Sequence, residues 1–163
     1  MKVYTNKELT DASIELMEKR GVTLEDIGEL VMLLQAKYYD NLTLEYCIEN
    51  IKAVLTKREI THAILTGIAL DELAEKKMLP EPIQSIISSD ESLYGIDEII
   101  PLSIVNIYGT IGLTNFGYLD KEKLGIIKEL DTKKDDGCNT FLDDIVAAIA
   151  AATASRIAHS ARD

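Results

Sequence analysis

Apolar residues recur at helical spacing along most of the chain, and polar capping residues mark where each run begins. Thr5 and Glu8 have the S/T-x-x-E form of a capping box, in which two otherwise unpaired backbone N–H groups are satisfied by the two side chains. Leu9, Ala12, Leu16 and Met17 follow at the 3.6 period, so the pattern predicts a first helix from about Asn6 to Arg20, stopped by Gly21. Thr23 and Asp26 form a second box, with Val22 and Ile27 placed as a hydrophobic staple. The stripe Leu24, Ile27, Leu30, Val31 and Leu34 carries that helix to about Tyr39. From Thr43, Leu44, Cys47, Ile48, Ile51, Val54 and Leu55 make one stripe, and Ile60, Ile64, Ile68, Leu70 and Leu73 continue it. So long a run predicts two helices broken near Thr56 to Arg58. Pro82 suits the first turn of a short helix through Ile87, and Ser88-Ser89-Asp90 reads as a loop.

Glu91 to Lys123 is rich in β-branched residues, and a strand pair around Gly109 to Gly112 competes with helix there. Helix is the better expectation, because no other segment offers a sheet partner and two strands alone are marginal. A short helix from about Gly125 to Asp131 and the loop TKKDDGCN follow. Then comes Phe141 to Ala158, FLDDIVAAIAAATASRIA, in which every residue from Ile145 to Ala154 except Thr153 is apolar. A helix apolar on all sides lies inside a bundle or a membrane, and this run is shorter than the roughly 20 residues a bilayer needs. The expected fold is a single all-α domain over residues 1–163, about seven helices around a buried Ala-rich helix near the C-terminus.

Composition agrees with helices. The chain of 163 residues is 47% hydrophobic and 28% charged, with 6% aromatics and no Trp, whereas β-rich domains lean on aromatic and β-branched residues. A formal net charge of −11 disfavours unaided binding to nucleic acid phosphates or to an anionic membrane surface, and a phosphate handled here is expected to need a metal. Cys47 and Cys138 lack metal-ligand spacing and read as reduced thiols, with a disulfide as the lesser alternative. The N-terminal MKVYTNKELTD has no signal-peptide core, so a cytoplasmic location without a transmembrane segment is expected.

Candidate chemistry is concentrated in acids. Asp143 fits a helix cap, at N3 after Thr140, and suits the helix dipole. Asp144 lies about 100° further round a helix with apolar followers on every side, so at least one of the two carboxylates faces the interior, where it requires a cation. Asp97-Glu98 forms a second acidic pair beside an apolar run, and Asp120, Lys123 and Asp131 fall in one short connection. His62 and His159 stand alone and neither supports a zinc site, and no phosphate loop or nucleophile motif is found. Oxygen ligands without His or Cys suit a hard cation such as Mg²⁺, and Mg²⁺ beside a lysine is apparatus for phosphoryl chemistry.

The elements IDEII, GYLDKEKLGIIKELD and NTFLDDIVAAIAAA resemble, in that order, the phosphatidylglycerophosphatase A family. GVTLEDIGELV, TKREITHAILTGIALD and DESLYGIDEII extend the resemblance to its soluble branch from Gram-positive bacteria over most of the chain. The resemblance implies an Mg²⁺-dependent phosphomonoesterase that converts phosphatidylglycerophosphate to phosphatidylglycerol. It implies metal binding by Glu98, Asp143 and Asp144, phosphate positioning by Lys123, and an activating base among Asp97, Asp120 and Asp131. The partner would be a phospholipid headgroup, met at the inner face of the membrane, or a phosphorylated small molecule, and a homo-oligomer is left open. Leu124 stands where membrane-bound members have a proline, and their Gly-rich N-terminal segment is not found. Two alternatives are an all-α nucleoside triphosphate pyrophosphohydrolase using Asp71, Glu72 and Glu75, and a non-catalytic helical interaction domain.

Overall fold

The computed structural model describes residues 1–132 and 137–160. Residues 133–136, in the middle of the expected TKKDDGCN loop, and 161–163, which include Arg162, lie outside the described residues. All regular structure among the described residues is helical: α1 (Asn6–Lys19), α2 (Leu24–Gln35), α3 (Leu44–Leu55), α4 (Arg58–Glu75), α5 (Ile83–Ser88), α6 (Ile96–Val105), α7 (Thr110–Glu122), α8 (Ile126–Thr132) and α9 (Leu142–Ser160). Short 3₁₀ turns extend α2 (Ala36–Tyr38) and α6 (Asn106–Tyr108).

The predicted starts follow from local chemistry. Both capping boxes form, with Thr5 and Glu8 opening α1 and Thr23 and Asp26 opening α2. The break after Leu55 separates α3 from α4, and the β-branched stretch is helical. The count of about seven helices needs correction, since nine α-helices are formed by the described residues. Part of the difference is Gly109, whose φ of 83° and ψ of −167° belong to a region open only to glycine, so α6 and α7 cannot be one rod.

α9 packs against α2, α3, α4, α6, α7 and α8. Every residue from Leu142 to Ser155 is buried, including both aspartates. Close approach is built in: a Cβ added at Gly67 of α4 would collide with the Ile145 side chain, and one at Gly112 of α7 would lie 2.9 Å from Val105 Cγ1. Tyr94, in the α5–α6 connection, packs edge-on against Phe141 at 6.1 Å, which fixes that connection beside the start of α9. No helix among the described residues is long and apolar enough to cross a membrane.

Candidate functional site

The first turn of α9 is not capped as its sequence suggests. Thr140 donates its hydroxyl to the Ile87 carbonyl at 2.7 Å, and Asp143 accepts from the backbone N–H of Asp144 at 2.9 Å, so the expected Thr140–Asp143 box is absent. The cap comes instead from α4. Asp71, with no exposed surface, accepts from the backbone N–H groups of Phe141 (3.1 Å) and Leu142 (3.0 Å). A helix N-terminus carries unpaired N–H groups and partial positive charge, and a buried carboxylate satisfies both. Burial nevertheless pushes the Asp71 carboxyl up to about 7, against the pull of those N–H donors and of the Arg20 charge.

Relieved of capping, Asp143 and Asp144 turn to Lys123, which ends α7 in a left-handed conformation with φ 48° and ψ 59°. The Lys123 ammonium donates to Asp120 Oδ1 at 2.9 Å and to Asp143 Oδ2 at 3.0 Å, and stands 3.9 Å from Asp144 Oδ1. The last distance is an ion pair too long for a hydrogen bond. Asp144 Oδ1 is therefore a buried carboxylate oxygen with no hydrogen-bond partner, and Asp97 Oδ1 is another. Burial raises the carboxyls of both Asp143 and Asp144 above the ordinary range. The Asp143 charge adds to the rise at Asp144, while Lys123 opposes both. At Lys123 burial works against the charge, but the carboxylates, Asp143 foremost, more than offset it and hold the ammonium protonated. Burial likewise raises Asp97, with the charges of Asp90 and Asp120 adding to it.

The structure thus brings together Asp97, Asp120, Lys123, Asp143 and Asp144. Glu98 is exposed on the first turn of α6. Asp131 lines a cleft together with Asp90, Asn139, Thr140 and Asp143. Asp90 was not singled out by the sequence. It sits in the loop after α5 at φ 50°, and its charge is felt by both Asp97 and Asp143. Its only sequence signal is its place in DESLYGIDEII. The acids of the pyrophosphohydrolase alternative have other partners: Asp71 caps α9, Glu72 pairs with Lys76 at 3.4 Å, and Glu75 pairs with Arg20 at 2.8 Å. His62 and His159 are both exposed, and Cys47 and Cys138 are buried free thiols.

Several carboxylates surround one lysine, and Asp97 and Asp144 each present a buried oxygen without a hydrogen-bond partner, a need that either a proton or a cation meets. Their all-oxygen chemistry fits a hard divalent cation. Among the described residues no three His, Cys, Asp or Glu side chains form a ready-made ligand cage.

Comparison with known proteins places this geometry in a family. The pattern of the family described as Phosphatidylglycerophosphatase A matches residues 14–159, which include every one of these acids and Lys123. The uncharacterized protein YpjQ of Bacillus subtilis (strain 168) is 65% identical over 163 residues, covering 100% of this chain and 92% of its own length. The uncharacterized protein YutG of the same organism is 59% identical over 146 residues, 90% of this chain and 88% of its own. The crystal structure of YpjQ superposes with a TM-score of 0.94, covering 98% of this chain and 99% of that one. That of the low temperature requirement C protein from Listeria monocytogenes, 54% identical, superposes with a TM-score of 0.92 over 95% of this chain and 98% of that one. The chain belongs to the phosphatidylglycerophosphatase A family.

Proposed function

We propose that the protein is an Mg²⁺-dependent phosphomonoesterase acting on a phosphate carried by a phospholipid headgroup, as the family description suggests. The observation that carries this reading is Lys123 held between Asp120 and Asp143 beside the unpartnered buried oxygen of Asp144. Asp143 and Asp144 would hold the metal. Glu98, exposed on the first turn of α6, would be a third ligand reached from the solvent side. When bound, Mg²⁺ supplies charge neutralisation of the phosphate oxygens.

The remaining steps belong to the chain. Lys123, kept charged by its carboxylates, contacts a phosphate oxygen and orients the group. Asp120 is engaged with that lysine, whereas Asp97 has a free oxygen and a raised carboxyl, so Asp97 takes the proton of the attacking water. The water oxygen bonds to phosphorus, the ester P–O bond breaks with its electron pair going to the leaving alkoxide, which is protonated by solvent water, and Asp97 returns its proton to solvent. Asp131 and Asp90, lining the adjoining cleft, would meet the alcohol part of the substrate.

The test is phosphate release from phosphatidylglycerophosphate in mixed micelles, with a soluble glycerol phosphate assayed beside it. Release that requires Mg²⁺ and stops in Asp144→Asn supports the reading. Unchanged release in EDTA overturns it, and release from the soluble ester alone overturns the lipid substrate.

A further inference from the structure

Asp71 and Glu75 lie four residues apart on α4, on one face of the helix, and both accept hydrogen bonds from backbone N–H groups of the segment that enters α9. Asp71 takes Phe141 and Leu142, and Glu75 Oε1 takes Cys138 at 2.8 Å. Arg20 of α1 completes the arrangement, pairing with Glu75 at 2.8 Å and donating to the Cys138 carbonyl and to Asn139 Oδ1. The Cys138 thiol lies 3.6 Å from Asp71 Oδ1. The segment 138–142 is thereby held at its N–H groups, a carbonyl and a side chain, immediately before Asp143 and Asp144.

We propose that Asp71 and Glu75 are positioning residues of the phosphatase site: by holding residues 138–142 against α4 they aim Asp143 and Asp144 at Lys123 and at the metal. The proposal rests on the function proposed above, and it extends that function to two acids outside the cluster. Its logic is that of groups that orient metal ligands, whose loss weakens a site without removing any ligand. A carboxylate is required at position 71 because two N–H groups converge on it. The Phe141 N–H is shared between the two Asp71 oxygens at 3.1 and 3.2 Å and the Leu142 N–H goes to Oδ2, so an asparagine keeps one oxygen for them but sets its own N–H₂ against the Phe141 N–H and removes the negative charge that faces the helix N-terminus. With α9 capped from α4, Asp143 spends one oxygen on the Asp144 N–H and reaches Lys123 with the other across 20 residues of sequence.

The experiment compares wild type, Asp71→Asn, Glu75→Gln and the control Ile60→Val, a buried truncation about 16 Å along the same helix from Asp71. Mg²⁺ binding is followed by calorimetry with the metal alone, Asp143 and Asp144 by their carboxyl ¹³C shifts, and phosphate release by kcat and KM. The expected result is Mg²⁺ affinity lower by roughly 10-fold in Asp71→Asn, with moved carboxyl shifts and a loss in kcat larger than in KM. Glu75→Gln shows the same pattern at smaller size, and Ile60→Val, though destabilised, shows none of it. If Asp71→Asn does not fold, Glu75→Gln decides alone, because its side chain is only partly buried. Unchanged carboxyl shifts and Mg²⁺ affinity in the folded variants overturn the proposal. So does an equal loss in Ile60→Val, which would reduce the effect to stability. Should wild type release no phosphate while the carboxyl shifts still move in Asp71→Asn, the functional reading fails and the positioning role stands.

Discussion

The Lys123 ammonium stands 3.0 Å from Asp143 Oδ2, joining the end of α7 to the first turn of α9 inside the bundle. Neither group is fully buried or free, at 28% and 10% side-chain exposure, and the lysine backbone is left-handed to reach this position. Non-glycine residues in that region are strained, and strain of this kind gathers at functional sites.

Replacing Lys123 separates charge from backbone. Lys123→Met removes the cation from a group of partly and fully buried carboxylates and should cost about 2 kcal/mol, less than for a fully buried pair because water screens it. Lys123→Gly loses the same charge but relieves the left-handed backbone, worth about 1 kcal/mol. Urea denaturation should therefore place the glycine variant between wild type and the methionine variant. The reverse order of midpoints would refute the strain assignment.

Asp144→Asn keeps the shape of the residue and removes the charge that the metal requires. Phosphate release should fall by more than about 100-fold, the upper end for loss of a group that only orients a ligand, because Asp144 is proposed as a ligand itself. The metal-free variant should be no less stable than wild type, since a buried carboxyl whose Oδ1 makes no hydrogen bond gives way to a neutral amide of the same shape. A thermal melt in EDTA checks the second outcome independently of any substrate.

Stability of the metal-free protein should fall as pH rises. The Asp71 carboxyl is raised from 3.8 to about 7 in the folded state, and Asp143 and Asp144 are raised as well. A raised acid binds its proton more tightly folded than unfolded, so its contribution is best below the unfolded value and is lost as pH climbs from roughly 4 to 7. Urea midpoints in EDTA should be higher at about pH 5 than at about pH 8, and Mg²⁺ should recover part of the loss at the higher pH by binding the ionised carboxylates. A midpoint that rises over this interval would contradict the shifts.

Gly109→Ala isolates backbone conformation, because an added Cβ there has nothing within 4 Å. The φ of 83° with ψ of −167° still excludes alanine, and the cost should be about 1 to 3 kcal/mol. A melting temperature equal to wild type would show that α6 and α7 can reorient around this point.

Helix positions were written locally, in capping boxes and apolar periods, because a helix closes its hydrogen bonds within four residues. That is why α1, α2 and the α3–α4 break were legible. The run Ile145 to Ala154 likewise announced its burial, since no face of it can meet water without exposing apolar surface. The acids were legible as candidates from their clustering beside apolar runs, and their roles from the family resemblance, but their sorting was not. Only packing against α4 assigns the α9 cap to Asp71 in place of Thr140 and Asp143. Only the folded chain places Asp90 beside Asp97 and Asp143 while leaving Glu98 in solvent. The physical reason is range: caps and periods act over one turn, whereas a charge is paired or orphaned by whatever distant helix the core brings against it.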